Sequence, residues 1–449
     1  MKRILTLLLL VTVALKGYSQ TQSAAPQSYS FSVQEAIDYA ITHKDSIVNS
    51  ALDVKSADYR VKEIIGQGFP QIDGMASFQD YLKIPTTLLP GEFFGAPSGT
   101  FIPVKFGVKY QSNLGVSVSQ LLFDPSYIIG LQGRKTYKEL YNRSYTSSKI
   151  DVTAKVTKAY YQVLVSNAQI KLLDANIAQL KQQTDQTTAQ NKQGFVEKID
   201  VDRITVQYNN LVTSRENTLR LLALNYQLLK FQIGMPIENG LTLKNGLNDI
   251  KLDENIIEMV TDSAAYKNRI EYKLFETNLK LTEFDLKRTK AQFLPTLKAN
   301  AAYTASYQNN NFRDLYSTSF PSSYVGLTLN VPIFSGGQRT NRVRQSEITL
   351  LKGKNSLAGL RNGLNLQAQQ AKIIYQNSLQ SLNNQKRNQE LAREVLRVSK
   401  IKYQQGVGSS IEVTQAQTEL ENADNAYVQS LYDALVSRVD LDRAYGNLQ

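Results

Sequence analysis

Two patterns of apolar and polar positions alternate along this chain. In the first, apolar residues recur at steps of three and four: Val163, Ile170, Leu173, Ile177 and Leu180, then Ile374, Leu379, Leu382, Leu391, Val395 and Val398. That spacing predicts long amphipathic helices packed side by side. Between Gly133 and Gly234 the only glycine is Gly194. Between Gly363 and Gly446 the only glycines are Gly406 and Gly408, and neither block contains proline. Sixty residues of helix would run about 90 Å at 1.5 Å per residue, a rod that no compact single-core domain needs.

The second pattern has period two. It fills two windows that hold nine of the eleven prolines, Gly66 to Pro125 and Pro295 to Gly337. Each opens with a helix running into a proline, in "GFPQI" (68–72) and "FLPTL" (293–297), where the helix should end. Alternating residues follow: Ile72, Gly74, Ala76, Phe78 in one copy and Leu297, Ala299, Ala301, Tyr303 in the other. After a polar loop comes a second run, Leu114, Val116, Val118 or Val325, Leu327, Leu329, Val331. These predict two β-hairpins with long loops at 83–111 and 308–322, four strands in all.

The chain is therefore duplicated. "GFVEKIDV" at 194–201 matches "GVGSSIEV" at 406–413, and "LKFQIG" at 229–234 matches "LDRAYG" at 441–446, both at an offset of 212. The expected order in each copy is helix, hairpin, long helix, glycine turn, long helix. The first repeat is placed at 20–235 with its hairpin at 71–123. A linking segment, 236–250, carries "PIENGLTLKNGLND". The second repeat is placed at 251–449 with its hairpin at 296–334.

Composition removes most chemistry. The 449 residues include no cysteine, no tryptophan and one histidine, His43. Thiol nucleophiles, disulfides and Cys/His metal sites are excluded, no cofactor or metal is expected, and the chain reads as not an enzyme. His43, within the helical "AITHKDS", reads as structural. The formal charge is +12; removing Lys2, Arg3 and Lys16 of the first 19 residues leaves +9, spread at helical intervals on solvated faces. No nucleic-acid partner is implied.

Residues 1–19, "MKRILTLLLLVTVALKGYS", have a basic start and an apolar run too short to span a bilayer, and read as a secretory signal peptide. With no cysteine after it, no lipid anchor is expected. An exported chain without an apolar 18-mer enters a membrane only as strands. Four strands leave two open edges, which lipid does not tolerate, so several copies would have to share one barrel. Aromatic residues at the run ends, Phe78, Tyr81, Tyr110, Phe123, Tyr303, Tyr307, Tyr324 and Phe334, suit an interfacial girdle. A soluble two-sided sheet is the alternative.

The ordered motifs "SVQEAIDYAITHKDSI", "GFPQIDGMASF", "VSQLLFD", "FLPTLKANAAY", "NVPIFSGG" and "GSSIEVTQAQTELENADNAY" resemble the TolC family of outer-membrane efflux proteins, over essentially all of 20–449. The resemblance implies a mixed, mostly α fold. Long coiled-coil-like helices would form an α-barrel in the periplasm, and four strands per subunit would contribute to a homotrimeric twelve-stranded β-barrel. It implies the outer membrane of a Gram-negative bacterium and a channel for small toxic molecules, with a periplasmic adaptor and an inner-membrane pump as partners. The exit duct of a type I protein secretion system is the alternative within transport. An exported structural coiled-coil protein is the alternative outside it.

By the same resemblance, a gate lies at the periplasmic tip. Glu412 and Gln415 of "IEVTQAQ" occupy positions that are often aspartates, so one acidic ring is supported. Asp200 matches an aspartate that links helices, and Tyr403 its partner. Gly408 stands where a basic residue is frequent, which leaves Lys198 or Arg203 to supply the charge. The tip turns, Gly194, Phe195 and Val196 with Gly406, Val407 and Gly408, would dock the adaptor.

Overall fold

The computed structural model describes residues 27–247, 250, 252 and 265–448. The signal-peptide reading at 1–19 lies outside the described residues, as do parts of the linking segment and of the second repeat's start. The elements in chain order are β1 (Ser28–Phe31), α1 (Val33–His43), α2 (Asp45–Gly66), β2 (Gln71–Asp80), β3 (Thr86–Pro90), β4 (Phe101–Lys105), β5 (Tyr110–Phe123), α3 (Pro125–Lys192) and α4 (Lys198–Ile233). Then follow β6 (Gly240–Leu243), α5 (Ile270–Ala291), β7 (Thr296–Asn309), β8 (Ser319–Asn330), α6 (Gln338–Gln404) and α7 (Ser410–Tyr445). Helices α3 and α6 have 68 and 67 residues, roughly 100 Å each at 1.5 Å per residue. Among the described residues, no helix is apolar enough to cross a membrane.

Two compact units emerge. One gathers the described residues up to Asn49 with Ser147–Arg269 and Leu364–Gln449. Its helices pair at heptad spacing: Leu173 and Leu180 of α3 pack with Ile204 and Leu211 of α4, and Leu396 of α6 packs with Val413, Ala416 and Leu420 of α7. Both pairs turn at glycine. The N–H of Phe195 donates to Gln190 O and that of Val407 to Lys402 O, each across five residues. That bond requires a left-handed residue just before it, supplied by Gly194 (φ 80°) and Gly406 (φ 75°). Helix α1 starts on a reciprocal cap, in which Ser32 Oγ accepts from Glu35 N and Glu35 Oε2 accepts from Ser32 N.

The duplication appears here as a direct pairing. Strand β1 lies parallel to β6, with Ser28 opposite Gly240 through Phe31 opposite Leu243. Gln27 N donates to Asn239 Oδ1 and Val33 N to Asn245 Oδ1, each 212 residues away. Equivalent residues of the two repeats thus sit side by side. The segment read as a link holds the first strand of the second repeat, and Tyr160 Oη, fully buried, donates to Phe31 O beside it.

The other unit comprises Ser50–Thr146 and Ile270–Gly363. Its antiparallel sheet has the order β2-β5-β7-β8, so the two hairpins meet at β5 and β7. Two expectations are corrected. Helices α2 and α5 stop four residues before Pro70 and Pro295. A turn intervenes, and each proline instead sets the extended entry to its strand. The loop 83–111 is not a plain polar loop, because β3 and β4 form a ribbon within it. The described residues therefore carry eight strands, not four.

Candidate functional site: a two-faced sheet and a double tip

Register sorts the sheet's side chains, because directly opposed residues share a face. Ile72 faces Val118, which faces Ala301, which faces Val325. Ala76, Leu114 and Ala305 form another such row. Leu327 and Leu329 of β8 extend this face opposite Ala299 and Leu297. The other face is polar. Ser77, Asn113 and Ser306 stand in one row, joined by Asn113 Nδ2 to Ser77 Oγ at 3.4 Å and Ser306 Oγ to Asn113 Oδ1 at 2.8 Å. Asn300 Nδ2 donates to Thr328 Oγ1 at 3.0 Å on the same side.

The apolar face is open. Val325 is 87% exposed and Leu327 69%. At one end it carries a ring cluster, with Phe312 packed edge-on against Phe78 (5.9 Å) and Tyr110 (5.6 Å). Phe123 and Leu297 lie at the other end. From Leu297 to Tyr307 the strand rises roughly 33 Å at 3.3 Å per residue. At the tilt of barrel strands that becomes about 25 Å, the height of an outer-membrane apolar band. Strands β2 and β8 are the edges, unpaired on their outer sides among the described residues.

The two tips of the helical unit bring one pair of gate candidates, Asp200 and Tyr403, within electrostatic reach of each other. Asp200, in the first turn of α4, is 18% exposed at its side chain. Its Oδ1 accepts from Ser410 Oγ of α7 and lies 3.5 Å from Arg203 Nη1, one turn along its own helix. Among the described residues no hydrogen bond joins Asp200 to Tyr403. Burial, and then the charge of Asp200, pushes the Tyr403 hydroxyl above its ordinary value, and its ring packs on the Leu396–Val413 cluster. Glu412 and Gln415 are exposed, and Glu412 N donates to the capping Ser409 Oγ. Arg203 is spent on its own helix. A side chain at Gly408 would place Cβ 2.9 Å from Lys402 Cβ, so the turn itself resists the basic residue expected there.

Sequence reasoning missed three features of this unit. Ser410 stands next to the cap Ser409, and only the three-dimensional turn shows which hydroxyl is free to reach α4. A groove of about 670 Å³ between α3 and α6 is lined by Gln179, Gln182, Gln183, Gln186 and Gln190, with Lys400 opposite. Burial lowers the Lys400 ammonium below its ordinary value. Farther from the tips, buried Asp424 accepts from Asn176 Nδ2 of α3 at 2.9 Å and Gln389 Nε2 of α6 at 2.7 Å. It ties the two helix pairs together.

Comparison with known proteins agrees with this geometry. The family model described as outer membrane efflux protein matches residues 267–447. Outer membrane protein TolC of Escherichia coli (strain K12) is 22% identical over 358 residues, covering 75% of this chain and 70% of that protein. The probable efflux pump outer membrane protein TtgC of Pseudomonas putida is 22% identical, covering 96% and 88%. Among solved structures, CusC superposes with a TM-score of 0.74 at 15% identity over 96% of this chain and 95% of that one. VceC from Vibrio cholerae superposes with a TM-score of 0.70 at 13% identity over 92% and 96%.

Proposed function

We propose that this chain is a member of the outer membrane efflux protein family, whose model matches residues 267–447, and that three copies of it close a single β-barrel and conduct small toxic molecules out of the cell. The family is one of transport channels and not of enzymes. The chain is an outer-membrane efflux channel.

The observation that carries the trimer is the open-edged sheet with one apolar and one polar face. Unpaired backbone at β2 and β8 cannot face lipid. Pairing β2 of one copy with β8 of the next removes both edges. Three sheets of four give twelve strands, with Ser, Asn and Thr lining the water-filled inside and Val and Leu outside. The helices support the same reading. Leu221, Leu224 and Leu228 form an exposed stripe along α4 at helical spacing, continued by Phe231, whose ring also carries Lys44 Nζ at 4.0 Å. Neighbouring copies would cover them.

Gating is assigned to the tips. Asp200 and Ser410 hold the two helix turns of one chain together, Tyr403 packs behind them, and Glu412 and Gln415 face the solvent at the narrowest point. The exposed Phe195 and Val407 (77% and 76%) and the turn glycines Gly194, Gly406 and Gly408, with Val196, form the surface for a periplasmic adaptor. An inner-membrane pump would supply the energy. Some relatives are named for toluene, solvent and antibiotic efflux, which favours small apolar toxicants over secreted proteins as cargo.

The test is accumulation of a fluorescent toxicant in the native host after the gene is deleted and then restored. The wild-type chain should lower accumulation, and a chain with Val325→Arg on the lipid face should not. Equal accumulation in all three strains would refute an efflux role.

A further inference from the structure

The ribbon formed by β3 and β4 has no place in the conduction pathway described above. It grows from the end of the β2–β5 hairpin. Tyr81 N donates to Lys109 O at 2.8 Å, one residue beyond the last sheet pair, Asp80 and Tyr110. It then pairs Thr86 with Lys105 through Pro90 with Phe101. One side is half-buried on itself through Leu89, Ile102 and Val104. The rest is open. Leu82 is 90% exposed, Phe93 81%, Phe101 63%, Leu88 61%, Phe106 60% and Phe94 58%. An isolated two-stranded ribbon is marginal in water, and one with this much bare aromatic surface needs a second phase to lie in.

We infer that this ribbon lies on the outer leaflet of the membrane, with its aromatic residues at the headgroup boundary and its lysines on anionic phosphate-bearing headgroups. Two observations favour lipid over a second copy of the chain. The first is continuity. The base of the ribbon joins the sheet at Phe78, Tyr110 and Phe312, the ring cluster on the lipid-facing side, and Lys109 Nζ sits 4.8 Å over the Tyr110 ring. An aromatic cluster with a lysine beside it is the pattern of a membrane interface. The second is charge. Lys83, Lys105 and Lys109 are all exposed. The one acid between them, Glu92, accepts from Ser98 Oγ within the ribbon, and Asp80 at the base offsets part of the Lys109 charge, which leaves the ribbon basic at Lys83 and Lys105. An apolar surface with basic flanks is drawn to an anionic bilayer. Three such ribbons packed on one another would instead crowd like charges.

The inference rests on the outer-membrane reading, and one preparation tests both. The chain has no tryptophan, so Phe93→Trp gives a single reporter at the ribbon's tip, and Phe101→Trp gives another if the first fails to fold. The full-length protein is placed in vesicles of phosphatidylglycerol and phosphatidylcholine with brominated acyl chains. Tryptophan emission should shift to shorter wavelength, be quenched by the brominated lipid, and resist iodide added to the water. Lys83→Glu with Lys105→Glu should reduce that quenching in phosphatidylglycerol and leave it unchanged in phosphatidylcholine alone. Quenching by iodide would put the ribbon in water. Protection from both quenchers would put it against a neighbouring copy. Either result overturns the inference while leaving the channel intact, provided the same vesicles conduct ions. Vesicles that do not conduct would overturn the channel reading and this inference with it.

Discussion

Removing the carboxylate of Asp200 should loosen the tip by an amount that the local geometry sets. Asp200 Oδ1 accepts from Ser410 Oγ and so ties α4 to α7 where each helix begins. A hydrogen bond to a charged group contributes about 1.5–3 kcal/mol. Asp200 keeps 18% of its side-chain surface in water, so screening places it in the lower part of that range, about 1.5–2 kcal/mol. That is roughly a 10- to 30-fold change in the equilibrium between held and separated tips of one chain. Single-channel recording of the Asp200→Ala protein should show the fraction of time in the high-conductance state rising by that factor. Ser410→Ala removes the same bond from the other side and should act alike. The double variant should be no more open than either single one, because partners in one bond are not additive. Unchanged open fractions in both single variants would refute the latch, as would effects that simply add in the double variant.

Three further outcomes rest on the turns, the sheet and a buried carboxyl. Gly406→Ala places a side chain at positive φ with nothing within 4 Å, and should cost about 1 kcal/mol. Gly234→Ala adds a Cβ 2.7 Å from His43 O and should lower the unfolding temperature further; equal losses would contradict the close approach. Val325→Arg puts a charge near the middle of the lipid face and should cost about 2–4 kcal/mol, preventing the heat-resistant oligomer from forming on a gel. Thr304→Arg on the polar face should leave the oligomer and reduce cation preference, and loss of the oligomer in both would refute the sidedness. Burial, aided by the charge of Asp424, raises the Glu421 carboxyl above its ordinary 4.5. The ionised form is therefore the penalised one. The stability Glu421 contributes is fully present below its unfolded value and fades as pH rises through the raised folded value. Glu421→Gln should flatten that part of the unfolding-temperature profile, and an identical profile in the variant would remove Glu421 as its source.

Much of this fold is legible in the sequence because its constraints are local. Gly194 and Gly406 must be glycine for a left-handed helix end, so the turn repeats visibly at the same offset as the helices it joins. The alternation from Leu297 to Tyr303 shows the face of a strand directly. What escapes is set by partners far away in the chain. Four residues of "SYSF" and four of "GLTL" are too short to declare a strand, and only their pairing makes β1 and β6. Pro85, Pro90 and Pro103 argue against strands in the first loop, yet Pro90 and Pro103 fit a two-stranded ribbon whose outer edges need no donor. Leu391 and Val395 follow the buried helical pattern but are exposed on α6. Periodicity marks a face as apolar without saying whether the same chain or another copy covers it. At the tip, Asp200 could be singled out by resemblance, whereas Ser410 could not, because its hydroxyl acquires a role only when the two turns are brought together.

The most direct test of the central claim is the conductance of purified protein in a planar lipid bilayer, with the mass of the same preparation measured in detergent. The expected result is a trimer that opens discrete, cation-preferring channels, and whose open fraction rises in Asp200→Ala. A monomer, or a trimer that inserts without conducting, would contradict a barrel shared among three four-stranded sheets.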